Sequence, residues 1–234
     1  MMYEVSIINL VCILLLGVVG TITYYRKSLD LLGSLLMVVM GFIILFSAGF
    51  KWLILILIFL ILSLIATKSN KQFKKSIGKY DGQRTAKNVI SNGIVAFFMA
   101  AFGGFYFPFV GGFIGAISTA TADTLASEIG ILQEPRLVTT FKKVPPGTDG
   151  GISILGTAVG VLGAGIIGIA AAAMGIISNP LLTVQIAVIS GLIGCFMDSI
   201  LGAVFEVRGF INNEHVNLLA TLTGAIVGII FTMI

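Results

Sequence analysis

The sequence predicts an all-α membrane protein, a polytopic bundle of about eight transmembrane helices, and three observations predict it. Of its 234 residues, 57% are hydrophobic and only 10% are charged, with a mean hydropathy of +1.10. Its apolar runs are ~20 residues long, the length a helix needs to cross hydrocarbon, whereas barrel strands would show ~10-residue alternating segments. Its charges gather in alternate loops, as a chain threaded back and forth through lipid requires. A soluble globular domain is excluded. Helices follow because backbone polar groups in lipid must bond within their own segment.

In chain order the spans are expected at 5–25, 29–49, 51–67, 90–107, 108–127, 153–176, 180–204 and 216–234. The first follows Glu4 without a basic leader or an A-x-A cleavage site and ends in Tyr24-Tyr25-Arg26-Lys27, which reads as a retained anchor. Lys51 separates the second from the third, and Phe107-Pro108 joins the fourth to the fifth. Small residues recur every four positions at Gly111/Gly115, Gly156/Gly160/Ala164/Gly168 and Gly224/Gly228. Such spacing lets helix backbones touch where lipid gives no hydrophobic drive. The seventh span carries Asp198. No connecting loop exceeds about two dozen residues, so residues 1–234 are expected to form one membrane-embedded domain. Residues 1–67 supply three N-terminal spans and 68–234 the motif-bearing part.

With both termini outside, the inner loops are 26–28, 68–89, 128–152 and 205–215, and they hold 13 of the 14 basic residues, leaving Lys51 outside. The positive-inside rule therefore favours an N-out, C-out topology. Every charged motif then faces the cytoplasm. Cys12 and Cys195 lie in apolar runs without a CxxC or Cys/His partner and read as packing residues. A single histidine, His215, excludes a His-rich metal site.

Charge concentrates between Thr119 and Ser153, which holds Asp123, Glu128, Glu134, Asp149, Arg136, Lys142 and Lys143. Acids at the end of an apolar span are costly unless they serve a purpose. Asp123 and Glu128 have no basic neighbour nearby in sequence and are read as ligands of a hard cation, with Asp198 as a third. Five residues apart, they stand about 140° round a helix, so they share one ion only if the helix ends or distorts between them. The segment KKVPPGTDGGIS pairs Lys142 and Lys143 with a turn of Gly147, Thr148, Asp149, Gly150 and Gly151. Cations, backbone amides and a following helix start suit phosphate. No GK[ST] follows, so this is not a Walker A loop.

The loop from Lys68 to Lys79 is a basic run expected to lie on anionic lipid. Beyond it, Arg84, Asn88 and Asn92 recur every four residues and would share one helical face, with Arg84 gripping a lipid phosphate. Asp81-Gly82 opens like a CDP-alcohol phosphotransferase signature, but the two further aspartates that signature needs are missing. Asp198 and Glu206 stand about 80° apart on a helix and can face one cavity. Asn212 and Asn213 precede the last span at helix-capping positions.

Taken together, ATADTLASEIG, the PPGTDGGIS loop, the Arg84/Asn88/Asn92 face, and Asp198-Ser199 followed by Asn213-Glu214-His215-Val216-Asn217 resemble the phytyl-phosphate kinase family. The resemblance covers most of the chain after Lys68 and implies an Mg²⁺-dependent kinase. Such an enzyme transfers a phosphoryl group from a nucleotide, CTP above others, to a phytyl or polyprenyl monophosphate. It assigns Asp123, Lys143 and Asp198 to catalysis and Lys142, Lys143, Gly147, Thr148, Asp149, Gly150, Gly151 and Asn213 to nucleotide phosphates. Arg84, Asn88 and Asn92 then take the lipid phosphate, and Asp123, Glu128 and Asp198 the metal. The expected partners are a nucleoside triphosphate, an isoprenoid monophosphate and membrane lipid, not nucleic acid; a homo-oligomer is left open. The alternative is a transporter or flippase for an anionic lipid, and a phosphotransferase releasing CMP shares most of the site.

Overall fold

The computed structural model describes residues 7–234, so the start of the first expected span, at residue 5, lies outside them. The helices are α1 (Ile7–Tyr25), α2 (Leu31–Ser47), α3 (Phe50–Lys68), α4 (Lys71–Ser76), α5 (Ala86–Gly103), α6 (Pro108–Gly130), α7 (Ile154–Ala173), α8 (Pro180–Leu201) and α9 (Asn213–Met233). Seven segments are 18 residues or longer and apolar enough to cross a membrane, and α2, at 17 residues, is the shorter eighth. The expected all-helical bundle is therefore present.

Boundaries move where caps decide them. Asp30 accepts from the Gly33 amide at 2.6 Å and starts α2. Ser153 accepts from the Gly156 amide at 3.0 Å and starts α7. Asn212 accepts from the His215 amide at 3.0 Å and starts α9 three residues before the expected 216. Each satisfies amides that a helix start otherwise leaves unbonded. The fourth span begins at Ala86 rather than 90, because Asn88 Oδ1 accepts from the Thr85 amide at 2.9 Å in a capping box.

Helix α6 is the axis. It touches α3, α5, α7, α8 and α9, and most of its residues are buried. Glycine makes that burial possible. A methyl on Gly111 or Gly115 would collide with the carbonyls of Gly228 and Gly224 on α9. On the other side, a Cβ on Gly156 or Gly160 would lie 3.0 or 3.2 Å from the Ala126 and Ala122 carbonyls. The small-residue spacings are thus helix-packing seams. Phe113, Ile114 and Ile117 of α6, with Ile167 of α7 and Ile186 of α8, make the fully buried centre.

The loops alternate between two ends of the bundle. Lys51 donates to the Met174 carbonyl at 2.6 Å, which puts residue 51 and the α7–α8 turn at one end. The segments carrying the other basic residues, 26–28, 68–87, 136–143 and 208, lie at the opposite end.

Candidate functional site

A cavity of about 290 Å³ opens at that charged end, bounded by α5, α6, α7, α8, α9 and the 131–153 loop. Polar groups from remote parts of the chain converge on it: Arg84, Asp123, Asp149, Asp198, Glu206 and Asn213. Asn88, Asn92, Glu128 and Gly147 to Gly151 also line it. All but two of the sequence-derived site residues therefore meet in one place. The exceptions are Lys142 and Lys143.

Arg84 is held by the three N-terminal helices. Its amide donates to the Ser28 carbonyl at 2.9 Å, and its carbonyl accepts from the Asp30 amide at 3.0 Å. Gln83 donates to the Leu29 carbonyl at 3.1 Å, and Lys68 donates to Ser28 Oγ at 2.6 Å. The turn between α1 and α2 thus forms a strap for the segment before α5. Arg84 precedes α5 rather than lying on it, so the expected shared helical face is not what gathers Arg84, Asn88 and Asn92. The strap brings Arg84 to the cavity, and the helix brings the asparagines. Burial pulls the guanidinium below its ordinary pKa, opposed by Glu128, Asp123 and Asp81. The Asn88 oxygen is used in capping, and the Asn92 amide donates to the Asn88 carbonyl at 3.1 Å.

The expectation that Glu128 is unpaired is corrected. Helix α6 runs unbroken to Gly130, so the five-residue offset points Asp123 and Glu128 to different partners. Glu128 Oε2 lies 2.7 Å from Lys74 Nζ, and Lys74 is 1% exposed. Glu128 Oε1 accepts from Thr67 Oγ1 at 2.9 Å and lies 3.6 Å from Arg84. Lys74 also donates to the Ala66 and Thr67 carbonyls at 2.9 and 3.1 Å. Lys74 is therefore no surface anchor. It ties the short basic helix α4 to the end of α6 and so departs from the expected lipid-facing run, whose other lysines, Lys68, Lys71, Lys75 and Lys79, are exposed. Nothing in the local sequence marks Lys74 among its neighbours, because its partner lies 54 residues away.

The glycine-rich loop is two consecutive turns. The Thr148 amide and hydroxyl both donate to the Pro145 carbonyl, at 3.2 and 2.7 Å, around Pro146 and a left-handed Gly147 (φ +82°). This is the residue pattern of a type II turn. The Gly151 amide then donates to the Thr148 carbonyl at 3.0 Å around Asp149 and a left-handed Gly150 (φ +77°), so the two turns share Thr148 and Asp149 is the second residue of the latter. A Cβ on Gly150 would lie 2.6 Å from the Ala203 nitrogen. Gly150 is thus required by packing on α8's extension, not by the approach of a ligand. Lys143 pairs with Glu134 at 2.7 Å and is 63% exposed, and its backbone bridges Arg136. Its assignment as the cation of the site is corrected: the antiparallel pairing turns it away from the cavity. Lys142 likewise does not line it. Lys79, unmarked in sequence, instead lays its stem on Gly147, within 2.9 Å of where a Cβ would stand.

Asp198 ends α8 beside Asp123, and their carboxyls are neighbours across the α6–α8 contact. Beyond Asp198 the chain forms a π-helix at Gly202–Glu206, closed by the Val207 amide on the Gly202 carbonyl at 3.2 Å. That wider turn re-aims Glu206 into the cavity. Asp198 Oδ2 is buried with no hydrogen-bond partner. An orphaned carboxylate oxygen beside a second carboxylate fits a hard divalent cation. Among the described residues no group of three or more Asp, Glu, His or Cys gathers as a closed metal site. The arrangement suits Mg²⁺, which keeps waters and takes one or two carboxylates plus phosphate oxygens. Glu128, already satisfied, does not belong to that set.

The family description "Integral membrane protein DUF92" matches residues 14–225. An uncharacterized membrane protein of Methanocaldococcus jannaschii is 40% identical over 224 residues, 94% of this chain and 92% of its own. Protein PGR of Arabidopsis thaliana is 30% identical over 80% of this chain and 75% of its own. The chloroplastic protein VTE6 of Arabidopsis thaliana is 33% identical over 79% of this chain and 58% of its own. These relatives match the family that the motifs resemble. No solved structure matches the chain.

Proposed function

This chain belongs to the DUF92 family of integral membrane proteins, and on that footing we propose that it is an isoprenoid-phosphate kinase. It transfers the γ-phosphoryl group of a nucleoside triphosphate, with CTP the donor that the motif resemblance favours, to a phytyl or polyprenyl monophosphate. The observation that carries the reading is the single cavity combining Arg84, the Asp123–Asp198 pair and the 147–151 turns at one end of an apolar bundle. The lining carries one cation and six acids, Asp81, Asp123, Glu128, Asp149, Asp198 and Glu206. With Glu128 held by Lys74, the surplus of acids asks for divalent metal to admit two phosphates, while the bundle suits a hydrocarbon tail.

The chemistry asks mainly for positioning and charge neutralisation. An ionised oxygen of the lipid monophosphate attacks the γ-phosphorus. The new P–O bond forms as the bond to the β–γ bridging oxygen breaks, giving the lipid diphosphate and the nucleoside diphosphate. The acceptor is ionised at neutral pH, so no general base is needed, in keeping with a single histidine outside the cavity lining. Arg84 donates to the acceptor phosphate and Asn213 to the donor side. Asp123 and Asp198 would hold Mg²⁺, which would supply neutralisation of the triphosphate's charge. The segregation of basic residues at this end supports a cytoplasmic site.

Transport is less favoured, because the polar lining gathers at one end and alternating access needs groups reachable from both. The test is to incubate purified protein with Mg²⁺, CTP and geranylgeranyl phosphate. Appearance of the diphosphate with CDP supports the kinase. CMP would mark a phosphotransferase, and no nucleotide binding at millimolar CTP would sink both enzyme readings.

A further inference from the structure

A second cavity lies between α2, α3 and α5, and its wall is almost wholly apolar: Met37, Met40, Ile44, Phe59, Val89 and Ala96 are among its residues. Ser63 is a polar exception within it. The others are Arg84 and Asn88, which also line the charged cavity. The two cavities therefore share a wall at Arg84 and Asn88, the segment just before α5 and the start of that helix. From Asn88 to Ala96 the apolar cavity follows α5 for about 12 Å.

We propose that this cavity, a slot of about 70 Å³, receives the part of the lipid monophosphate's hydrocarbon chain next to the phosphate, the remainder lying in lipid, and that Gly93 keeps it open. The inference rests on the kinase reading for the identity of the head group. A ligand with one anionic end and one apolar tail is the occupant that the lining describes. Its phosphate meets Arg84, the cation common to both cavities, and the start of its tail runs between α2, α3 and α5. Gly93 stands midway along the slot. A Cβ there would meet only the terminal methyl of Met40, at 3.4 Å, so a larger side chain would extend into the slot rather than into backbone. The role also explains why a site built on α6 to α9 needs the N-terminal helices: α2 and α3 form the slot's other walls.

The test uses the full chain in lipid nanodiscs with geranylgeranyl monophosphate carrying a diazirine in the isoprene unit next to the phosphate. Illumination should attach the probe to peptides spanning 37–44, 56–64 and 89–96, read by mass spectrometry. The corresponding diazirine prenol, lacking phosphate, should label them roughly ten-fold less, since the charge-assisted contact with Arg84 is missing. For Gly93→Leu, kcat/KM for geranylgeranyl phosphate should fall about ten-fold or more while KM for the nucleotide stays unchanged. Met40→Phe narrows the same slot and serves as the second variant. Adducts confined to lipid-facing residues such as Leu32 and Leu35, or equal labelling by the prenol, would overturn the proposal. Labelling of the slot without any phosphoryl transfer would leave the slot standing and remove the kinase reading. Turnover with adducts elsewhere would do the reverse.

Discussion

Glu128→Gln is the substitution on which sequence and structure disagree most, and it separates a metal ligand from a structural ion. Read from sequence, Glu128 has no basic neighbour nearby and is a metal ligand. In the structure its carboxylate faces Lys74 at 2.7 Å, with side-chain exposures of 22% and 1%. The lysine cannot reach water, and Glu128 is its only carboxylate partner among the described residues. Removing one member of a buried pair costs about 3–5 kcal/mol, because the other charge stays desolvated. The Gln amide still accepts hydrogen bonds and the Ala66 and Thr67 carbonyls stay in place, so we take the lower figure, about 3 kcal/mol. For a chain of this size each kcal/mol moves the midpoint by about 2–4 °C, so Tm should drop by roughly 6–12 °C. Thermal unfolding in detergent reads this. The paired variant Lys74→Met with Glu128→Leu should regain most of the loss, a coupling of roughly 0.5–3 kcal/mol in a double-mutant cycle. An unchanged Tm with abolished turnover would refute the reasoning and return Glu128 to the metal.

Further outcomes follow from the same geometry. Asp198→Asn should abolish turnover without lowering Tm, because its Oδ2 has no protein partner to lose, and Mg²⁺ titration of wild-type protein should show a saturable requirement that EDTA removes. Arg84→Ala should raise KM for the lipid phosphate by roughly ten-fold or more while leaving that for the nucleotide nearly unchanged; an equal rise in both would place Arg84 on neither phosphate in particular. Lys143→Ala should change the rate by less than about five-fold, as its exposed pair with Glu134 is worth at most ~1 kcal/mol; a hundred-fold loss would return it to the site. Cysteine labelling should find position 75 accessible from the cytoplasm and the exposed position 178 from outside, and the opposite pattern would put the cavity on the other face.

The site was legible in part, and the split has a physical cause. Asp123, Asp149, Asp198 and the glycine-rich turn stand out in sequence because a charge or a flexible loop beside lipid is costly, so its presence alone is informative. Lys74 and Lys143 were misread because both belong to basic runs whose members look alike. Which lysine turns inward depends on where a carboxylate 54 residues away is placed. Glu206 was located, but the π-turn that aims it was not, since one added residue per turn leaves no compositional trace.

Sequence by itself determined the solvent and the architecture. Lipid requires long apolar helices, and small residues at four-residue spacing require close crossings, here Gly111 and Gly115 on α6 against Gly224 and Gly228 on α9. Both are local or periodic constraints, so both are written along the chain. Only the tertiary structure decided which charges face the cavity and which satisfy one another. That choice turns on distances between residues far apart in sequence, such as Lys74 with Glu128 and Arg84 with the α1–α2 turn. Electrostatic pairing depends on separation in space, and only the packing of α6 at the centre of the bundle sets those separations.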